Sequence, residues 1–148
     1  MDDRALSTAL SYALLLGVTV MLMGGLSVAA GGLLESQHER AVEAELDVIG
    51  ERVTADLQTA DRLTHTAGET ESLAVRSSSP QLVSGGHYTI DVVNGGEETT
   101  LVVESADVDV TTETTVPTTT PVAETTVIGG ELEITYDSES DELVIANG

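Results

Sequence analysis

AVEAELDVIGERVTADLQTADRL, residues 41–63, is the stretch whose reading decides the fold. Its apolar side chains fall at Val42, Leu46, Ile49, Val53, Leu57, Ala60 and Leu63. Steps of three and four return to one side of a helix with 3.6 residues per turn, so the spacing predicts an amphipathic helix over 35–67. Its other faces are charged, at Glu43, Asp47, Glu51, Arg52 and Asp56 among others. A stripe with one dry side must be covered, either by a domain of the same chain or, since the spacing is near heptad for about three repeats, by a second helix in a coiled coil. Gly50 is the weak point inside this helix, and Gly68 stands where a C-terminal breaker belongs.

Working outward toward the N-terminus, residues 5–34 contain no charged side chain. About 20 mostly apolar residues suffice to cross a hydrocarbon core of about 30 Å, so 6–34 reads as a transmembrane helix. A secretory signal has a much shorter apolar stretch. No strong breaker separates this segment from the amphipathic one, which reads as its continuation. Gly17, Gly24, Gly25, Gly31 and Gly32 leave two readings open. Small faces let helices approach closely, and glycine pairs also mark points where a helix bends.

Toward the C-terminus the period changes to two and β-branched residues dominate. Strands are expected at 72–76, 81–83, 87–93, 99–104, 108–114, 125–128, 131–136 and 143–146. Turn residues separate them, notably Ser84-Gly85-Gly86, Asn94-Gly95-Gly96 and Gly129-Gly130. The clearest hairpin joins 87–93 to 99–104, with Tyr88, Ile90 and Val92 on one face. The expected fold class is therefore α+β: a long N-terminal hydrophobic and amphipathic helix, then a small antiparallel β-sheet or sandwich over 68–148 packed on the helix end. The Thr-rich tract at 111–126, with Pro117 and Pro121, reads either as an O-glycosylated spacer or as two edge strands joined by a proline-containing loop.

Charge narrows the partners. The chain has 26 Asp+Glu against 5 Lys+Arg, for a net charge of -21, and all five cations are arginines. Such a surface repels polyanions, so no nucleic acid partner is expected. Strong acidity fits a disordered segment or a protein folded in strong salt, where the Debye length shrinks to about 3 Å at 1 M. The alternating Val/Ile/Leu strands favour the second. With no cysteine and only three aromatic residues, thiolate chemistry and aromatic cages are out of reach. No nucleophile, base or phosphate-cradling loop has a recognisable setting, so neither enzymatic activity nor a cofactor is expected. His38, His65 and His87 lie in unrelated contexts. Asp137, Glu139, Asp141 and Glu142 crowd one turn but lack the central Gly and final Glu of an EF-hand, and read as a solvated turn rather than a metal site.

At the very start, Arg4-Ala5-Leu6-Ser7 presents a charged residue, a small one, an apolar one and another small one directly ahead of the apolar run. This resembles the class III signal peptide of archaeal type IV pilin-like proteins, and the stretch from Arg4 to Tyr12 is similar to the start of pilins from halophilic archaea. Thr8 stands where those pilins usually carry proline. The resemblance implies recognition of Arg4, Ala5, Leu6 and Ser7 by a prepilin peptidase on the cytoplasmic face and cleavage after Ala5, which makes 1–5 a leader. It further implies a single-pass protein with a cytoplasmic N-terminus and an extracellular β-domain, associating with the membrane and with other pilin-like subunits. The ending Gly-Gly-Glu-Leu-Glu-Ile-Thr-Tyr-Asp, 129–137, is also similar to pilin-like proteins of that group. Two functions stay open: an accessory or minor subunit of a type IV pilus-like filament, or a solitary membrane-anchored binding module that does not polymerise. An ordinary uncut anchor that happens to begin Arg-Ala-Leu-Ser remains the alternative to processing.

Overall fold

A computed structural model describes residues 2–67, 73–95 and 98–148, with side chains at 7–66, 73–95 and 98–148. The fold is α+β: one helix, α1 (Asp2–Ala67), followed by seven strands in two antiparallel sheets. The chain divides into two compact units, residues 1–38 and 39–148. From residue 39 onward the amphipathic stretch falls in the same compact unit as the sheets.

Within the second unit, Val42, Leu46, Ile49, Val53, Leu57 and Ala60 are each 3% exposed or less and join one core with residues of both sheets. Burying a side chain of this kind contributes about 1.5–3 kcal/mol for the larger ones, which explains why a helix of middling propensity holds its place. The stripe is thus covered by the protein's own β-domain. Leu63 does not follow: it is 40% exposed, and the last turn turns Asp61 and Thr64 inward instead. Gly50 is also not a weak point but a point of close approach. A Cβ there would lie 2.9 Å from Thr114 Oγ1 and 3.6 Å from Val103 Cγ2, so the bare backbone lets the helix sit against the sheet. Gly68 lies outside the described residues.

The four-stranded sheet has the order β4 (Thr111–Val116), β3 (Thr99–Ser105), β2 (Tyr88–Asn94), β5 (Thr125–Ile128). The hairpin β2–β3 pairs Ile90 with Val103 and Val92 with Leu101, which places Tyr88, Ile90, Val92, Leu101 and Val103 in the core. The Thr-rich tract supplies both edges of this sheet, β4 and β5, where β-branched threonine suits the pleat and proline is tolerated only between strands. The three-stranded sheet has the order β1 (Ala74–Ser78), β6 (Glu131–Asp137), β7 (Glu142–Asn147), with Val75, Ile134 and Ile145 in one row across it.

Three connections weld the sheets. Gly129-Gly130 carries the chain from β5 in one sheet to β6 in the other, and Gly130, at φ 132°, adopts backbone angles that side chains resist. The Asn147 amide then bridges the sheets, donating from Nδ2 to Ile128 O at 2.7 Å and accepting from Ile128 N at 3.4 Å. The segment around Val122 runs parallel against β7, with Leu143 N donating to Pro121 O and Ala123 N to Leu143 O, both at 2.8 Å.

Two expected strands are corrected. Residues 81–83 form no strand: Val83 and Gly86 close a two-residue turn whose central residues, Ser84 and Gly85, both have positive φ. The strand expected at 108–114 begins only at Thr111 and runs on to Val116. Val110 N bonds to Val108 O at 2.7 Å, a tight turn that consumes the donors a ladder would need, and Pro117 ends the strand. The strand expected at 72–76 forms as β1, and its residue 72 lies outside the described residues.

Candidate functional site

The first unit offers one feature, an exposed apolar surface. Large side chains from Leu10 to Leu34 are 55–81% exposed, Leu16 least and Met21 most. A helix apolar on every side is stable in hydrocarbon and costly in water. At 1.5 Å per residue, residues 7–34 cover about 42 Å, more than the bilayer core of about 30 Å. By length and composition α1 is able to cross a membrane, consistent with a single-pass anchor.

Two hydroxyls inside the segment bond back to their own helix. Thr19 Oγ1 donates to Leu15 O at 2.8 Å and Ser27 Oγ to Met23 O at 2.9 Å, so each closes its donor onto the carbonyl one turn back. Such back-bonding was not read from the sequence, although hydroxyl residues amid an apolar helix signal it. The helix runs unbroken through Gly24-Gly25 and Gly31-Gly32, and no other side chain lies within 4 Å of where a Cβ on these glycines would be.

The sequence-predicted leader residues Arg4, Ala5, Leu6 and Ser7 all fall within α1. Ser7 is exposed, while the side chains of Arg4, Ala5 and Leu6 lie outside those described. The four are consecutive and need no tertiary contact to be presented, as suits a motif read along an extended or helical segment.

In the second unit the polar chemistry is structural. Asp61, 9% exposed, accepts from Thr120 N at 2.8 Å and Thr119 N at 3.2 Å, clasping the loop after β4 to the end of the helix. Burial alone pushes this carboxyl upward. The Thr120 hydroxyl, the N–H groups of Thr120 and Thr119 and the nearby His65 outweigh it and hold the group below its ordinary 3.8. Tyr88 is fully buried and donates from its hydroxyl to Pro80 O at 2.7 Å; burial, the largest influence, raises its pKa. Gly129 exists because Tyr88 does: a Cβ on Gly129 would fall inside the Tyr88 ring.

Two carboxylates of the acidic β6–β7 turn, Asp137 and Asp141, accept bonds within it. Asp137 accepts from Glu139 N at 2.9 Å and Ser140 Oγ at 3.0 Å, which lowers its pKa, and Tyr136 OH donates to Asp141 at 2.6 Å. Among the described residues no group of three or more His, Asp or Glu is placed to hold a metal ion. His38, His65 and His87 are all exposed, and each belongs to a different part of the chain. Two open grooves mark the four-stranded sheet. One of about 500 Å³ lies along Asp91, Val93, Val102, Glu124 and Thr126, and one of about 290 Å³ lies between the β2–β3 turn and Thr118–Pro121.

A family model described as "Family of unknown function (DUF7266)" matches residues 1–146. No curated protein and no solved structure matches the chain.

Proposed function

The chain belongs to that family, and we propose that it works as a membrane-anchored, pilin-like structural protein of the cell surface, an accessory or minor subunit of a type IV pilus-like filament. In this reading a prepilin peptidase recognises Arg4, Ala5, Leu6 and Ser7 and cuts after Ala5. Residues 6–34 then hold the bilayer, and later the filament core, while the acidic β-domain stands outside the cell.

One observation carries the reading. The same helix that is apolar and uncovered over residues 7–34 supplies, over residues 42–60, the fully buried wall of the folded acidic domain. Abundant carboxylates and few cations suit a domain that faces a salt-rich exterior. The span's glycines, open on all sides, suit close contact with other helices.

Peptide mapping of the native N-terminus tests the processing step: a mature chain beginning at Leu6 is expected, and a native chain retaining residues 1–5 contradicts it. Mass spectrometry of sheared surface fibres tests assembly. Peptides of residues 39–148 are expected there, and their consistent absence from fibres in cells that make the protein supports the solitary anchored module instead.

A further inference from the structure

The buried stripe of α1 leaves the opposite side of the helix uncovered. At 100° per residue Ala41, Ala44, Val48 and Ala55 share that side, all are exposed, and Val48 is 55% so. With Glu51 they occupy alternate steps of three and four, the a and d positions of a heptad frame. Four charged residues flank this row: Arg40 and Asp47 at g positions on one side, Glu45 and Arg52 at e positions on the other. In a parallel, in-register pair of helices each g residue meets the e residue five places on in the other helix. Arg40 then meets Glu45, and Asp47 meets Arg52, in both directions. In a chain with five cations and a net charge of -21, two arginines lie where self-association needs them.

We propose that α1 carries a second helix-pairing seam, Ala41, Ala44, Val48 and Ala55, through which a second copy of this chain docks parallel and in register, held by Arg40–Glu45 and Asp47–Arg52 contacts between copies. Among the described residues none of these four forms an ion pair, the ion pair there being Arg76–Glu133, at 3.9 Å. Glu45 makes one 3.4 Å contact with Ser84 Oγ, and Arg52 spends one donor on Ser78 O at 3.3 Å, leaving four of its five N–H groups. Glu51 meets Glu51 of the second copy across the d layer and also packs beside that copy's Arg52, whose cation offsets the like charges. Small side chains keep the seam short and close, and its area alone is too little for a stable dimer. The parallel orientation and the high local concentration rest on the proposed membrane anchoring, which confines both copies to one plane with the same end in the bilayer.

The absence of cysteine makes the test clean. Full-length Val48→Cys in native membranes is oxidised and its disulfide dimer measured, beside Glu43→Cys, which lies off the seam on an exposed flank. Dimer from Val48→Cys several-fold above the Glu43→Cys control is expected. Adding Arg52→Glu should lower the yield about three-fold or more, because it sets like charges across the seam, and adding Asp47→Arg to that variant should restore it. The Arg40→Glu and Glu45→Arg pair repeats the test without touching the Arg52–Ser78 contact. Equal yields from Val48→Cys and Glu43→Cys overturn the proposal, as does failure of both charge swaps to rescue. Crosslinking between Ala44→Cys and Val48→Cys copies with none from Val48→Cys alone marks an antiparallel pair and overturns it too. Alkaline extraction of the same membranes reports the anchor separately: protein that stays in the pellet but gives no seam crosslink refutes the seam alone.

Discussion

Replacing Asp61 by Asn should loosen the clasp between the helix end and the loop after β4. The carboxylate is buried and accepts two backbone N–H groups, from Thr120 at 2.8 Å and Thr119 at 3.2 Å. Hydrogen bonds to a charged group contribute about 1.5–3 kcal/mol each, and a buried donor left without a partner costs about 1–3 kcal/mol. Asn keeps one acceptor oxygen and turns an NH2 toward the other donor, so one of the two bonds is lost. A destabilisation of about 2 kcal/mol is expected, or a fall in Tm of about 8 °C for a unit of this size. The assay is thermal unfolding of the full chain in detergent, followed by circular dichroism. Because the folded-state pKa of Asp61 is lowered, its contribution is present above the unfolded value of about 3.9 and fades as pH falls through the folded value. The gap between wild type and Asp61→Asn should therefore be full at neutral pH and close on acidification below about pH 4. The gap is the quantity to follow, since protonating other carboxylates relieves the repulsion of a chain at -21 in both proteins alike. Unfolding of Asp61→Asn indistinguishable from wild type at neutral pH, or a gap that widens in acid, refutes the reasoning.

Leu57→Ala should cost about 2–5 kcal/mol by emptying a fully buried site, whereas Leu63→Ala, six residues on in the same helix but 40% exposed, should stay within about 1 kcal/mol; the same unfolding curves decide it. Gly129→Ala drives a methyl into the Tyr88 ring at the corner between the sheets and should cost about 1–3 kcal/mol or prevent folding, while Gly129→Ala combined with Tyr88→Leu should recover part of the loss. Tyr88→Phe removes the bond to Pro80 O and should cost about 1 kcal/mol at neutral pH with no change in fold by circular dichroism.

The helix and its dry side were legible because they follow a local rule. Six of the seven positions read from steps of three and four are buried, and the seventh, Leu63, failed because the helix end is held by a polar clasp that periodicity does not reveal. The β2–β3 hairpin was legible for the same reason, since alternation and an Asn-Gly turn both lie within the segment itself. Division into two sheets was not. β1 pairs with β6 more than fifty residues away, and the choice of partner depends on the corner at Gly129-Gly130 and on Asn147, which no short window contains. Leu82 and Val83 looked like strand residues until Ser84 and Gly85 both took positive φ and folded the chain back at once. Gly50 was misjudged by propensity alone: in isolation it weakens a helix, whereas against Thr114 and Val103 it permits the packing that stabilises it. The leader motif is legible only in sequence, because it is a run of four neighbours that uses no tertiary contact.

The claim on which the account turns is that residues 7–34 lie in a membrane with the β-domain outside it, and protease treatment of intact cells addresses it directly. Peptides from residues 39–148 should be released into the medium while residues 7–34 remain with the cell envelope. Full protection of the β-domain in intact cells, with digestion only after lysis, contradicts the account.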